Sequence, residues 1–196
     1  MLTVIGDLLA DVVVLAGSSY EIGTDNPALI THVRGGSGAN VAAAAAASVP
    51  VSFIGRIGDD AEGEALVRRL ASTGVDVLVQ RGGRTGSIVI LVDESAERTM
   101  LTDRGAAAEL EAIDPAWLAS ADWLHLPLYG LVPPVSRVAL VQAAASVRAR
   151  GVPVSIDLSS VAAMRELGAE TLLRLVTQSA ARAQMYAQEL EALVEC

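Results

Sequence analysis

The sequence contains no lysine, so all 14 of its basic side chains are arginines. This excludes a phosphate-binding loop built on lysine and a catalytic lysine Schiff base. Together with 23 acidic residues, the arginines leave a formal net charge of −9. An acidic chain with scattered arginines lacks the basic surface that nucleic-acid binding needs, and we expect no nucleic-acid partner.

Cysteine and long apolar runs are also scarce. The single cysteine, Cys196, has no partner within the chain, which agrees with a reducing cytoplasm. No stretch approaches the ~18 consecutive apolar residues of a membrane span. No basic segment precedes the first apolar residues, as it would in a signal peptide. The sequence therefore predicts a cytoplasmic protein with no membrane partner.

The composition is aliphatic, with 52% hydrophobic and only 3% aromatic residues among 196. It excludes a disordered chain, and the length predicts one or two domains. Short apolar runs predict strands at 2–6, 12–15, 51–57, 75–79, 123–126 and 154–156. Between and after them, helices are predicted at 39–48, from 60, after 114, at 134–150 and in two short stretches after 157. This alternation is typical of a mostly parallel sheet with helices on both faces.

Two segments depart from the alternation. Residues 87–92 and 98–102 predict a hairpin with a polar turn, which we interpret as an added lid. Residues 181–194 have helical propensity throughout, and no closing element follows them. We therefore expect a sheet that is incomplete at its C-terminal end.

The strongest local signal is the segment Gly-Gly-Ser-Gly-Ala-Asn at residues 35–40. Its glycines let the backbone approach a ligand closely, and the following helix offers free N–H groups. Asn40 would point an amide at a ligand hydroxyl. The alternative is a turn that lets the helix pack tightly on the sheet. The dinucleotide pattern G-x-G-x-x-G is absent after the first strand, so an oxidoreductase of that type is not expected.

Carboxylates follow two of the predicted strands. Asp7 and Asp11 follow the first strand, and Asp157 follows the strand at 154–156. Ligands of open parallel sheets bind beyond the carboxyl ends of the strands, where a carboxylate accepts hydrogen bonds from a polyol. The alternative is a solvated turn residue, which we favour for Asp7.

For several other polar residues, the sequence favours a structural role over a functional one. Asp59 and Glu62 have the spacing of a capping box at a helix start. His32 and His125 are far apart and have no cysteine nearby, so the sequence does not support a zinc site. His125 lies in an apolar strand and is expected to be packed or hydrogen-bonded in the core.

In combination, these segments resemble the N-terminal signature of the ribokinase-like (PfkB) carbohydrate kinases. The matching residues, in chain order, are Gly6, Asp11, 35–40, 54–60, Gly63, Thr85, Gly86, Arg98, Thr99, Gly105, Ala106 and 122–126. The resemblance implies a three-layer α/β/α sandwich in a single domain over residues 1–196. It also implies a small β lid formed by segments near 12–34 and 80–104.

The resemblance further implies an activity and a substrate site. The activity is ATP-dependent phosphorylation of a sugar, related polyol or nucleoside hydroxyl, with Mg²⁺ as a cofactor. Asp11 would hold sugar hydroxyls and Asn40 would hydrogen-bond the sugar. Gly35 and Gly36 would let the loop close on it, and the lid would exclude water.

Two parts of the family pattern are missing. The Gly-Ala-Gly-Asp turn, which supplies the catalytic base and an anion hole, does not occur, so no catalytic residue is assigned. In the Asn-x-x-Glu element that organises magnesium and phosphate, Gln188 replaces the asparagine and Glu191 fits the acidic position.

We therefore expect a truncated kinase domain with mainly the sugar-binding half, inactive as this chain alone. The alternative is a non-catalytic sugar-binding or dimerising remnant. In either case a homodimer would form through the lid or an exposed sheet edge.

Overall fold

The computed structural model describes residues 1–16, 21–158, 160–179 and 182–184. The strands in this part of the chain are β1 Leu2–Ile5, β2 Leu9–Leu15, β3 Leu29–Gly35, β4 Val51–Ile57, β5 Asp76–Arg81, β6 Thr85–Val92, β7 Arg98–Gly105, β8 Trp123–Pro127, β9 Val154–Asp157 and β10 Arg182–Gln184. The α-helices are α1 Ser37–Ala45, α2 Ala61–Ala71, α3 Pro134–Arg148, α4 Val161–Leu167 and α5 Ala169–Ser179. Short 3-10 helices cover Ala106–Glu109, Pro115–Leu118 and Leu128–Leu131.

Six parallel strands form the main sheet, in the order β10-β9-β8-β1-β4-β5. Successive residues of a strand face opposite sides, so β1 buries Val4 on one face and Ile5 on the other. Val4 packs with α1 and α2, whereas Ile5 packs with α3, α4 and α5. Two apolar cores therefore separate three layers, and the predicted α/β/α architecture is confirmed.

Four other strands form a second sheet, in the order β3-β2-β6-β7, which we call the small sheet. Strands β6 and β7 are the hairpin that the sequence predicts, and β2 pairs with β6 in parallel. Strand β3 was not predicted from the sequence. Its first five residues are exposed, so it lacks the alternation that marks a half-buried strand.

Two local predictions are corrected. The cap of α2 is Asp60 rather than Asp59, because the Asp60 carboxylate accepts the Gly63 N–H at 2.8 Å. Residues 182–184 form β10 beside β9 instead of helix, since they extend the parallel sheet. The other residues of the helix predicted at 181–194 lie outside the described residues.

Strand β2 begins at Leu9, three residues before its predicted start, so Asp11 lies within β2 rather than after the first strand. The short helices Ala106–Glu109 and Leu128–Leu131 were not predicted, and other elements agree more closely with the sequence. Strand β4 has the predicted bounds, and Asp114 accepts the Ala116 N–H at 2.9 Å to cap the short helix Pro115–Leu118. Among the described helices, none has the length and apolar character needed to cross a membrane.

Candidate functional site

A cavity of about 230 Å³ lies where the small sheet meets the carboxyl end of β1 and the start of α1. Its apolar lining consists of Leu9, Ile88, Ile90, Met100 and Tyr129. Its polar side chains are Asp7, Asp11, Ser37, Asn40, Arg98, Thr102 and Arg104. An apolar cavity with a few converging polar groups is the usual form of a small-molecule site.

Glycines bring the start of α1 against the end of β1. Gly36 has φ of +93°, and a Cβ there would collide with the Asp7 carbonyl oxygen. That oxygen instead accepts the Ala39 N–H at 3.2 Å. A Cβ on Gly38 would come within 2.9 Å of the Gly6 Cα. The glycines thus allow tight packing, and the same packing places Gly36 in the cavity wall.

Asp11 lies on β2 and faces the cavity. Gly35 is buried directly beneath it, because a Cβ on Gly35 would overlap the Asp11 carboxylate. Gly35 therefore makes room for Asp11 and does not itself line the cavity. Burial raises the pKa of Asp11, and the nearby charge of Arg34 partly opposes the rise. Oδ1 of Asp11 is buried against Gly35 and has no hydrogen-bond partner among the described residues.

Two polar side chains of α1 stand beside Asp11 in the cavity wall. The Ser37 hydroxyl is buried and lacks a hydrogen-bond partner in the described part of the chain. Asn40 lies in the first turn of α1, and its side chain is exposed to the cavity. Buried polar groups without partners are rare in proteins, so an unpaired hydroxyl in a cavity wall is compatible with a ligand site. Ser37 was not predicted as a site residue, although it lies within the glycine-rich segment.

Asp7 is buried in an ion pair with Arg104, so its interpretation as a solvated turn residue is wrong. Burial raises the pKa of Asp7, and the charge and hydrogen bond of Arg104 act in the opposite direction. The Arg104 guanidinium also lies over the Tyr129 ring, 5.5 Å from its centroid. Arg104 was missed as a site residue, because 97 residues separate it from Asp7.

Other candidate residues lie away from this cavity. His125 is a hydrogen-bonded core residue as predicted: its Nδ1 is 2.9 Å from the Ser155 hydroxyl, and burial lowers its pKa. Asp157 ends β9 and does not line the cavity. Glu191, the predicted magnesium-associated residue, lies outside the described residues. Within those residues, no group of three or more His, Cys, Asp or Glu side chains is arranged to hold a metal ion.

The fold and the cavity together define an α/β domain with a cavity of small-molecule size beneath a second β sheet. The sequence matches the model of the pfkB family of carbohydrate kinases over residues 1–195. The chain belongs to that family.

Individual relatives include kinases with different substrates. The chain is 32% identical to fructokinase of Escherichia coli over 155 residues, 76% of this chain and 50% of that protein. It is 41% identical to ATP-dependent ribose-1-phosphate kinase of Halopiger xanaduensis over 98 residues, 47% of this chain and 33% of that protein. The chain spans about half the length of the curated fructokinases that it matches.

Solved structures confirm the ribokinase-like fold. Adenosine kinase from Sinorhizobium meliloti superposes with a TM-score of 0.86 at 23% identity, covering 100% of this chain and 67% of that one. A sugar kinase from Pyrococcus horikoshii, solved in complex with ATP, gives 0.82 at 20% identity, covering 100% and 66%.

Proposed function

We propose that this chain forms the substrate-binding part of an ATP-dependent kinase for a hydroxyl of a sugar, related polyol or nucleoside. Family membership supports the reaction class. The observation that supports the site is the grouping of the Asp11 carboxylate, the Ser37 hydroxyl and the Asn40 amide around one cavity. The Asp11 Oδ1 and the Ser37 hydroxyl have no hydrogen-bond partner among the described residues, and Asn40 is exposed.

The proposed roles follow from the chemistry of these groups. A carboxylate accepts hydrogen bonds from two neighbouring hydroxyls, and an amide both donates and accepts. Held in this way, a substrate hydroxyl would attack the γ-phosphorus of ATP. The new P–O bond would form as the bond to the ADP oxygen breaks, and the hydroxyl proton would pass to a base. We assign no described residue to that base.

ATP as phosphoryl donor and Mg²⁺ as cofactor belong to the same proposal, on the strength of the family alone. Magnesium would neutralise charge on the phosphates as the bond to ADP breaks. Glu191 stays the sequence-based candidate for organising it.

The domain organisation also belongs to this proposal. We infer a single domain over residues 1–196 whose small sheet acts as the lid. Strands β2, β3, β6 and β7 fall largely within the proposed lid segments 12–34 and 80–104, which supports this inference. Such a lid would exclude water and so protect ATP from hydrolysis. A homodimer through the small sheet or the open edge of the main sheet stays a prediction.

Calorimetric titration of the chain with fructose, ribose, adenosine and their phosphates tests the proposed site. We expect at least one compound to bind, and Asp11→Asn to weaken its binding about 10-fold or more, because a hydrogen bond to a charged group contributes roughly 1.5–3 kcal/mol. Asp25→Asn, an exposed acidic residue in the loop between β2 and β3, is the matched control and should leave binding unchanged. Equal affinity of the Asp11→Asn variant and the parent chain would contradict the site assignment.

Release of ADP in the presence of Mg²⁺, ATP and the bound compound separates the two functions left open by the sequence. Substrate-dependent release would assign the complete kinase reaction to this chain. Binding without release would favour the non-catalytic sugar-binding alternative.

A further inference from the structure

Building on the proposed function, we propose that the substrate of this site carries an anionic group, a phosphate or a carboxylate, which Arg98 binds. The hydroxyls of the substrate would lie against Asp11 and Asn40. The anionic end would lie against the part of the small sheet where β7 begins.

The charges around the cavity lead to this inference. Four charged side chains line it: Asp7, Asp11, Arg98 and Arg104. Asp7 and Arg104 neutralise each other in a buried ion pair. Asp11 has the positive charge of Arg34 beside it. Each carboxylate is thus matched by a cation, and Arg98 is left as an additional positive charge.

Arg98 has no partner of its own within the described residues. No ion pair or hydrogen bond joins its guanidinium to another of these residues, whereas Arg104 is held by both Asp7 and the Tyr129 ring. The Arg98 side chain is exposed where it lines the cavity, so water solvates it when no ligand is bound. A guanidinium binds phosphate or carboxylate through two parallel N–H bonds, which a neutral hydroxyl cannot match.

The register of the small sheet sets the distance between the two ends of the site. Asp11 pairs with Ile88, and Ile88 pairs with Thr102, so these three residues form one row across the sheet. Arg98 lies four residues before Thr102 on β7 and faces the same side. Four residues of a strand extend about 13 Å. An extended arginine that reaches back toward Asp11 leaves room for a sugar and its anionic substituent between the two charges.

The lining between the two ends is apolar. Ile90 pairs with Met100 between the row of Asp11 and the position of Arg98, and both side chains line the cavity. Ile90 and Met100 carry no hydrogen-bond acceptor in the strong sense, so they do not compete with an anion for the guanidinium. Among the described residues, the carboxylates that line the cavity are Asp7 and Asp11, and each already has a cation nearby. Neither carboxylate therefore competes with an anionic ligand for Arg98.

Titration calorimetry with matched neutral and anionic compounds tests the proposal. The pairs are fructose with fructose 1-phosphate and fructose 6-phosphate, ribose with ribose 1-phosphate and ribose 5-phosphate, and glucose with gluconate. We expect at least one anionic compound to bind about 10-fold more tightly than its neutral parent, with the preference decreasing at higher salt. The phosphate and gluconate pairs distinguish the two anionic groups.

Three variants test whether Arg98 causes any such preference for the anionic compound. Arg98→Gln should abolish it, and Arg98→Lys should retain part of it because the charge remains. Arg68→Gln changes an exposed arginine on α2 and should leave it intact. Thermal melts confirm that each variant is folded before it is titrated.

The outcomes separate this proposal from the proposed function. Neutral sugars that bind as tightly as their anionic derivatives, with Asp11→Asn weakening both, would overturn the role of Arg98 and leave the kinase site standing. A preference that survives Arg98→Gln would also overturn it. If the folded chain binds none of these compounds, the proposed function fails and this inference fails with it.

Discussion

At the scale of single residues, the least predictable feature of the site is the ion pair of Asp7 and Arg104. The sequence places Asp7 at the end of a strand, which is compatible with a solvated turn. Its burial becomes evident only when β7 places Arg104 beside it, 97 residues later in the chain. Asp11 could be singled out from the sequence because it lies close after the first strand, and Asn40 because it belongs to the glycine-rich segment. A residue whose role depends on a distant partner offers no such signal.

Replacing Arg104 should show how much an unpaired, buried Asp7 charge destabilises the folded state. We expect Arg104→Met to lower the free energy of unfolding by about 3 kcal/mol at pH 7, because it leaves an uncompensated carboxylate in the core. The pKa of Asp7 is already raised above its ordinary value of 3.8, and the variant should raise it further. Because the pKa of Asp7 is higher in the folded state than in the unfolded state, protonated Asp7 favours folding. This stabilisation is lost as the pH rises through the folded-state pKa.

The destabilisation by Arg104→Met should therefore disappear as the pH falls below about 3.8, where Asp7 is protonated in both the folded and unfolded states. Urea unfolding between pH 3 and pH 8 measures this dependence. The double variant Asp7→Asn with Arg104→Met should recover part of the stability at pH 7. A loss of stability that is independent of pH, with no recovery in the double variant, would show that Arg104 contributes mainly through packing on Tyr129.

At the scale of elements, the sequence is most informative where an element is buried on a regular face. Strand β4 is almost wholly buried and was predicted with its observed bounds. Strand β3 was missed because nearly all of its side chains are exposed. Its hydrogen bonds to β2 define it, and these depend on register rather than composition.

The N-terminal cap of α2 could not be predicted from composition either. Asp59 and Asp60 are equivalent by composition, and the partner that selects Asp60 is Thr85, whose N–H it accepts at 2.8 Å.

The position of α1 depends on Gly36. Two glycine substitutions separate the effect of close packing at Gly36 from the effect of its positive φ angle. Gly36 and Gly74 have similar positive φ angles, +93° and +89°. A Cβ at Gly74 meets nothing within 4 Å, whereas one at Gly36 collides with the Asp7 backbone. We expect Gly74→Ala to cost about 1 kcal/mol from backbone strain alone. Gly36→Ala should cost about 2 kcal/mol more, because the collision must be relieved by moving α1.

Chemical denaturation measures both glycine variants, and titration with the ligand identified for the parent chain follows. The Gly36→Ala variant should also lose ligand affinity, since the movement displaces Ser37 and Asn40. Equal stability losses for the two variants would contradict the close packing of α1 against β1.

At the scale of the whole molecule, the alternation of strands and helices was sufficient to predict the three-layer architecture. Parallel strands need crossover connections, and helices provide them on both faces. The cavity itself could not be predicted in this way, because it exists only where the small sheet and the main sheet meet. Family membership supports the proposed reaction class, and the chain spans about half the length of the fructokinases that it matches.

The most direct test of the central claim is a ¹H–¹⁵N correlation NMR titration of the chain with the compound that binds in calorimetry. We predict the largest shifts at the Asn40 side-chain amide, the Gly36 N–H and the backbone amides of β2 around Asp11, because these groups surround the cavity. Smaller shifts should extend along β7 toward Arg98. Shifts centred on another part of the molecule, such as the His125 and Ser155 pair, would contradict the assignment of this cavity as the substrate site.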